Sequence, residues 1–241
     1  MNTGFYDDLD TNFELALEMA NQKFSHDELI DLLSNGNIPQ KQIAALSLDC
    51  VNDENEANVL ISNLTGCDGK IREAVALKIK FLLQEFPTIY TLFNQADIFA
   101  DATIDINGNI CRLVLDSVEI LKQDRQFAKI YLAKIFSFVH DAFEKLDSFI
   151  FRDKKYVINK QIFKLYWCLE ALKLFVQEMS LEELLPILEK AMQIQEYTIR
   201  EKVAQIVNSL DKMELQDIKN RLQNDDNYYV RNAINAKQCF V

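Results

Sequence analysis

Four times in this chain a short oxygen-bearing residue stands three positions ahead of a carboxylate and introduces an apolar run: Ser25 with Glu28, Asp53 with Glu56, Ser180 with Glu183, and Asp211 with Glu214. This is the spacing of the capping box, in which the two side chains satisfy amide groups left open by the first turn of a helix. A chain that keeps restarting helices in this way is committed to a succession of them. Turn formers are scarce: five glycines and three prolines in 241 residues are too few for a fold of many tight strand-to-strand turns. The expectation is an all-α protein.

Each cap opens a first helix, reading HDELIDLL, ENEANVLISNL, LEELLPILEKAM and ELQDIKNRLQ. A turn follows, containing Asn35-Gly36-Asn37, Gly66-Cys67-Asp68-Gly69, Gln195-Glu196 or Asn224-Asp225-Asp226-Asn227, and then a second helix: PQKQIAALSLDCV, KIREAVALKIKFLL, TIREKVAQIVNSL and YYVRNAINAKQCFV. Apolar residues in the second helices recur at helical spacing, as in Ile71, Val75, Ile79, Leu82 and Leu83, or Ile199, Val203, Ile206, Val207 and Leu210. One hairpin cannot bury such a stripe, whereas stacked hairpins bury it continuously. Two more units fill the middle: TIYTLFNQADIFA, opened by Pro87-Thr88, with ICRLVLDSVEILK, then the longer RQFAKIYLAKIFSFVHDAFEKL with YVINKQIFKLYWCLEALKLFV. The predicted organisation is a single domain over 1–241, with an N-terminal helix over 5–24 and about six hairpins at 25–51, 53–84, 87–122, 124–178, 180–210 and 211–241.

The same six-residue pattern occurs twice, IREAVA from Ile71 and IREKVA from Ile199. A basic residue recurs early in the second helices, at Lys41, Arg72, Arg112, Arg200 and Arg231, with Asn37, Asp68, Asn107, Glu196 or Asp226 four or five positions before it. The arrangement resembles the HEAT-repeat family, whose units carry an Asp in the turn and an Arg early in the second helix. That resemblance, covering 25–241 and strongest at Asp68/Arg72, Glu196/Arg200 and Asp226/Arg231, implies a right-handed α-α superhelix, an α-solenoid. It further implies that these side chains, with Arg112, link neighbouring units through partly buried ion pairs and helix-start hydrogen bonds. Pro186, inside a first helix, matches the kink that first helices of the family carry.

Charge is unevenly spread. Of the net −11, residues 1–60 hold twelve acidic side chains against Lys23 and Lys41, while residues 120–165 hold ten Lys or Arg against five Asp or Glu. An acidic end repels nucleic acid and attracts a basic protein. No uninterrupted apolar run reaches the length of a membrane span and the first residues lack the pattern of a secretory signal, so the expectation is a cytoplasmic protein with no membrane contact. Cys50, Cys67, Cys111, Cys168 and Cys239 are odd in number and far apart, without disulfide or metal-ligand spacing.

No catalytic residue is assigned. His26 lies beside a helix cap and His140 within SFVHDAF, neither with a nucleophile at a recognisable spacing. Asp105-Ile106-Asn107-Gly108-Asn109 has the look of an EF-hand centre, yet Gly108 at the turn position puts Thr103 first and Val114 where the bidentate Glu belongs. Gly66 to Lys70 lacks phosphate-loop spacing. The aromatic cluster between Phe127 and Trp167 is read as core, with one exception: bases and aromatics mix around Arg152, Lys154, Lys155, Tyr156 and Trp167, a combination suited to phosphates or stacked rings. No metal and no cofactor is expected.

The leading functional expectation is a non-enzymatic protein-interaction scaffold with an acidic N-terminal region and a partner bearing a basic surface, because a solenoid offers a long face to a helix or extended segment. The HEAT resemblance supplies two alternatives. One is a HEAT-like DNA glycosylase or other nucleic-acid binder, which a single Trp and a charge of −11 disfavour. The other is a chaperone subunit like the phycobilin lyases. Arg231, Asn232, Asn235 and Gln238 keep one side of the last helix polar, as a terminal cap does, and favour a monomer.

Overall fold

The computed structural model describes residues 14–15, 17–19, 21–148, 155–210 and 212–236, the side chains of residues 155–157 excepted. Among the described residues there are twelve α-helices, two 3-10 helices and no strand. The chain divides into two compact units, residues 1–131 and 132–241. Most of the expected N-terminal helix lies outside the described residues; positions 14–15 and 17–19 are helical, and the chain has left the helix by residue 23.

In the first unit, α1 (His26–Asn35) opens on a complete capping box: the Glu28 amide donates to Ser25 Oγ, and the Ser25 amide donates to Glu28 Oε2 at 2.7 Å. Gly36 separates it from α2 (Ile38–Ser47). A Cβ at Gly36 would lie 2.4 Å from the Leu32 carbonyl oxygen of α1 and 2.8 Å from Gln40 Cβ of α2, so the tight turn between the two helices requires glycine there. A second complete box, Asn37 with Gln40, starts α2; a search confined to carboxylates passes over this carboxamide version. Asp53 caps α3 (Glu54–Ser62), but Glu56 turns to the Asn52 amide and His26, leaving that box half made. Asp68 caps α4 (Gly69–Glu85), Asn107 caps α6 (Gly108–Leu121), and Asp124 accepts from the Gln126 and Phe127 amides at the start of α7 (Arg125–Ser148).

The third predicted hairpin, 87–122, departs from expectation. TIYTLFNQADIFA is not one helix but a 3-10 turn, Pro87–Leu92, and a separate α5 (Ala96–Thr103). Between them Phe93 is fully buried, and Asn94 and Gln95 reach Glu54 and Asn58 of α3, contacts an uninterrupted helix would forgo. Within residues 1–131 α2 packs on α4 and α4 on α6, so second helices are neighbours in chain order, while α1 packs on α3. Their shared core includes Leu33, Leu60, Val75, Ile79, Leu82 and Val114, each with 1% exposure or less, at roughly 1.5–3 kcal/mol apiece in favour of folding. Phe99 meets Phe127 edge-on at 5.5 Å, and Tyr131 Oη lies 2.7 Å from Thr103 Oγ1, which itself donates to the Phe99 carbonyl.

The second unit takes the rest of α7, then α8 (Lys155–Lys173), α9 (Leu181–Met192), α10 (Tyr197–Ser209), a 3-10 turn (Met213–Leu215), α11 (Gln216–Gln223) and α12 (Tyr228–Asn235). Helix α9 starts from Ser180, which accepts from the Glu183 amide, and continues through Pro186. Asp211, the first half of the expected box with Glu214, lies outside the described residues; α11 continues from the 3-10 turn, and Leu215 at its start makes no side-chain cap. The second helices again stack in order, α8 on α10 and α10 on α12.

Candidate functional site on the second helices

Each unit contains one arginine node of the same design. Arg72 Nε donates to Asp105 Oδ2 at 2.6 Å and Nη2 to Oδ1 at 3.1 Å, while Nη1 donates to the Gly66 carbonyl at 2.7 Å. Arg200 grips Asp225 at the same two distances and donates Nη1 to the Ile194 and Gln195 carbonyls. In both, the Asp belongs to the turn of the next hairpin, and its Oδ1 also accepts from the amide of the Asn two residues on, Asn107 or Asn227, which caps the following helix. A bidentate fork thus clamps one hairpin's second helix to the start of the next. The hydrogen bond from Arg72 to Asp105, and that from Arg200 to Asp225, outweigh burial and hold each guanidinium firmly charged. Burial works against ionisation of Asp225, yet hydrogen bonds from Arg200 and the Asn227 amide prevail and bring its carboxyl below the usual range.

The other sequence-predicted linkers do different things. Asp68 caps α4 through the Lys70 and Ile71 amides, Glu196 precedes α10 without a side-chain cap, and Arg231 donates to the Asp225 and Asp226 carbonyls. Arg112 donates to Asn109 on its own helix. Of the predicted binding residues, Arg152 and Lys154 lie outside the described residues, as do the side chains of Lys155 and Tyr156 at the start of α8. Trp167 is buried, with T-shaped contacts to Tyr166 at 5.2 Å and Phe163 at 6.1 Å, so little of its ring is open to a ligand.

Beyond the nodes, the second helices turn one row of side chains outward. On α4 the row is Gly69, Glu73, Leu77 and Phe81, with Leu77 47% and Phe81 51% exposed. Beside it, Leu46 of α2 is also exposed, and Lys78 lies over the Phe81 ring at 5.2 Å. Burial lowers the pKa of Lys78, opposed by Asp49. On α10 the corresponding row is Tyr197, Glu201, Gln205 and Ser209, and this one lines a depression of ≈ 680 Å³ together with Lys173 at the end of α8, Gln177 in the turn after it, and Tyr229 and Asn232 of α12, Tyr197 excepted. Tyr197 stacks on Tyr229 at 5.8 Å just beside it. The sequence reading followed the apolar stripe and passed over these rows; the signal is the residues left between apolar positions at every fourth place.

The chemistry on offer is hydrogen bonding, stacking and apolar contact. Among the described residues no three of His, Cys, Asp and Glu stand together to hold a metal, and no helix is long and apolar enough to cross a membrane. Of the described thiols, Cys111 and Cys168 are buried, and burial pushes Cys111 up to about 12. The units differ in charge: residues 1–131 carry twenty-one Asp and Glu against ten Lys and Arg, residues 132–241 sixteen of each. Compared with protein-family models and with curated proteins, the chain matches none.

Proposed function

We propose that this protein is a non-enzymatic scaffold that binds another protein, built as a HEAT-like α-solenoid whose second helices supply the recognition surface. The observation that carries the reading is the exposed pair Leu77 and Phe81 on α4, one turn apart, with Leu46 exposed on the neighbouring α2. Adjacent large apolar groups left in water on a helix that is otherwise well packed mark a surface meant to be covered. The excess of carboxylates in residues 1–131 selects a partner with basic residues around its apolar contact. Side-by-side packing of second helices in chain order within each unit supports the solenoid.

The experiment is affinity capture from native extract at physiological salt, comparing the wild-type chain with the double variant Leu77→Gln/Phe81→Ser, which copies the residues of α10 onto α4. The expected result is a specific partner recovered by the wild type and reduced about tenfold or more in the variant. Equal recovery by both chains overturns the reading. So does a chain that dimerises through Phe81 in solution, since the scaffold acts as a monomer.

A further inference from the structure

Gln205 is oriented from below. Its Oε1 accepts from Lys173 Nζ at 3.1 Å and from Lys202 Nζ at 3.2 Å. Lys202 is itself buried, paired with Glu170 and lying over the Tyr166 ring at 4.8 Å. With two ammonium groups fixed on the oxygen, the NH2 of Gln205 is the half left to the depression, and the carboxamide cannot flip without losing both bonds. One turn earlier on α10, Glu201 lines the same depression and forms no ion pair among the described residues. Tyr229 is 57% exposed and stacks on Tyr197, so an aromatic face lies beside the open carboxylate.

We propose that this groove of the second unit binds an extended peptide segment through an arginine side chain and its main chain. The guanidinium pairs with Glu201 and lies on the Tyr197–Tyr229 stack, while the Gln205 NH2 donates to a carbonyl of the same segment and Asn232 offers both a donor and an acceptor. Arginine fits better than lysine because a planar ion presents one edge to a carboxylate and its face to an aromatic ring at once. An extended segment fits better than a helix because a helix has already spent its backbone groups internally, leaving nothing for oriented carboxamides to meet. The inference rests on the scaffold reading only in taking the ligand to be a protein, and it concerns a different surface from Leu77 and Phe81.

The test exposes the full chain to a pool of end-blocked random peptides with one fixed central arginine, and to the matching pool in which citrulline, of the same shape without the charge, replaces it. Retention is quantified by mass spectrometry. The expected result is enrichment of the arginine pool, weakened about tenfold by Glu201→Gln and about threefold by Tyr229→Leu, in chains whose thermal melts match the wild type. Equal retention of both pools overturns the proposal, as does a Glu201→Gln chain that binds undiminished, or free arginine competing as well as the peptides, which marks a small-molecule site. The variant Leu77→Gln/Phe81→Ser separates the two readings. If it loses the protein partner while the pools behave alike, the scaffold stands and the groove falls; if it keeps its partner while arginine peptides remain selected, the reverse holds.

Discussion

Helices α4 and α10 begin with nearly the same six residues and diverge outward of them. Val75 and Val203, and Ala76 and Ala204, are all buried, Ile71 is half-buried where Ile199 is fully so, and Arg72 and Arg200 hold an Asp of the next turn at matching distances. The one altered position, Ala74 against Lys202, is buried in both. In α4 it is a small filler; in α10 it is an ammonium that reaches Glu170 and Gln205. Two positions of the outward row then change character together, Leu77 and Phe81 against Gln205 and Ser209. The lesson is a division of labour at single-residue resolution: repeated positions secure the hairpin, and the residues between them decide what the face offers.

The comparison breaks first at the arginines. Arg72→Leu strands a buried carboxylate and should cost roughly 3–5 kcal/mol in a urea unfolding titration. Arg200→Leu should cost less, because side-chain exposures of 17% and 10% for Arg200 and Asp225 exceed the 10% and 8% of Arg72 and Asp105. Equal losses, or a larger one at Arg200, would show the nodes are not graded by burial. The double change Arg72→Leu/Asp105→Leu should recover most of the stability, since the penalty lies in the unpaired charge.

Exchanging the altered position sharpens the contrast. Ala74→Lys puts an ammonium into a buried site one turn from Lys78, itself buried and short of partners, and should destabilise by about 3 kcal/mol. Lys202→Ala should destabilise by about 1 kcal/mol, because Glu170 keeps Lys173 at 3.9 Å. A destabilisation by Lys202→Ala as large as that by Ala74→Lys would contradict the view that α10 is built around its lysine rather than merely tolerant of it.

The smallest expected effect is with pH. Asp225 titrates below its ordinary value in the folded chain, so the unfolded chain binds the proton first; the node's contribution is complete above about pH 4 and fades as pH falls through the lower folded value. The acid limb of a pH-dependent melting curve should therefore flatten in Asp225→Asn. An unchanged limb would remove this carboxyl from the account.

Helices and caps were legible because they are local: Ser25, Asp53 and Ser180 sit beside the amides they satisfy. The arginines were legible through repetition, but their partners were not. Asp105 lies 33 residues beyond Arg72 and Asp225 lies 25 beyond Arg200, whereas the repeat pattern pairs these arginines with the turn residues just before them, Asp68 and Glu196. The pattern that identifies the true partners is Asp-x-Asn ahead of a second helix, Asp105-Ile106-Asn107 and Asp225-Asp226-Asn227. At the first junction Gly66 stands where that Asp would be, and Lys41 donates to Asn63 instead. The break at Phe93 leaves no mark in the sequence, because burial of a single ring is decided by tertiary packing rather than by helical period.

Since Arg72 and Arg200 find their carboxylates on the hairpin made after their own, these two junctions close in a fixed order during synthesis. A nascent chain that has emerged through residue 86 already presents Arg72, yet its counter-ion is still inside the ribosome, and only when Asp105 follows does the earlier pair of helices become locked. The hairpins that carry Asp105 and Asp225 thereby certify the ones before them.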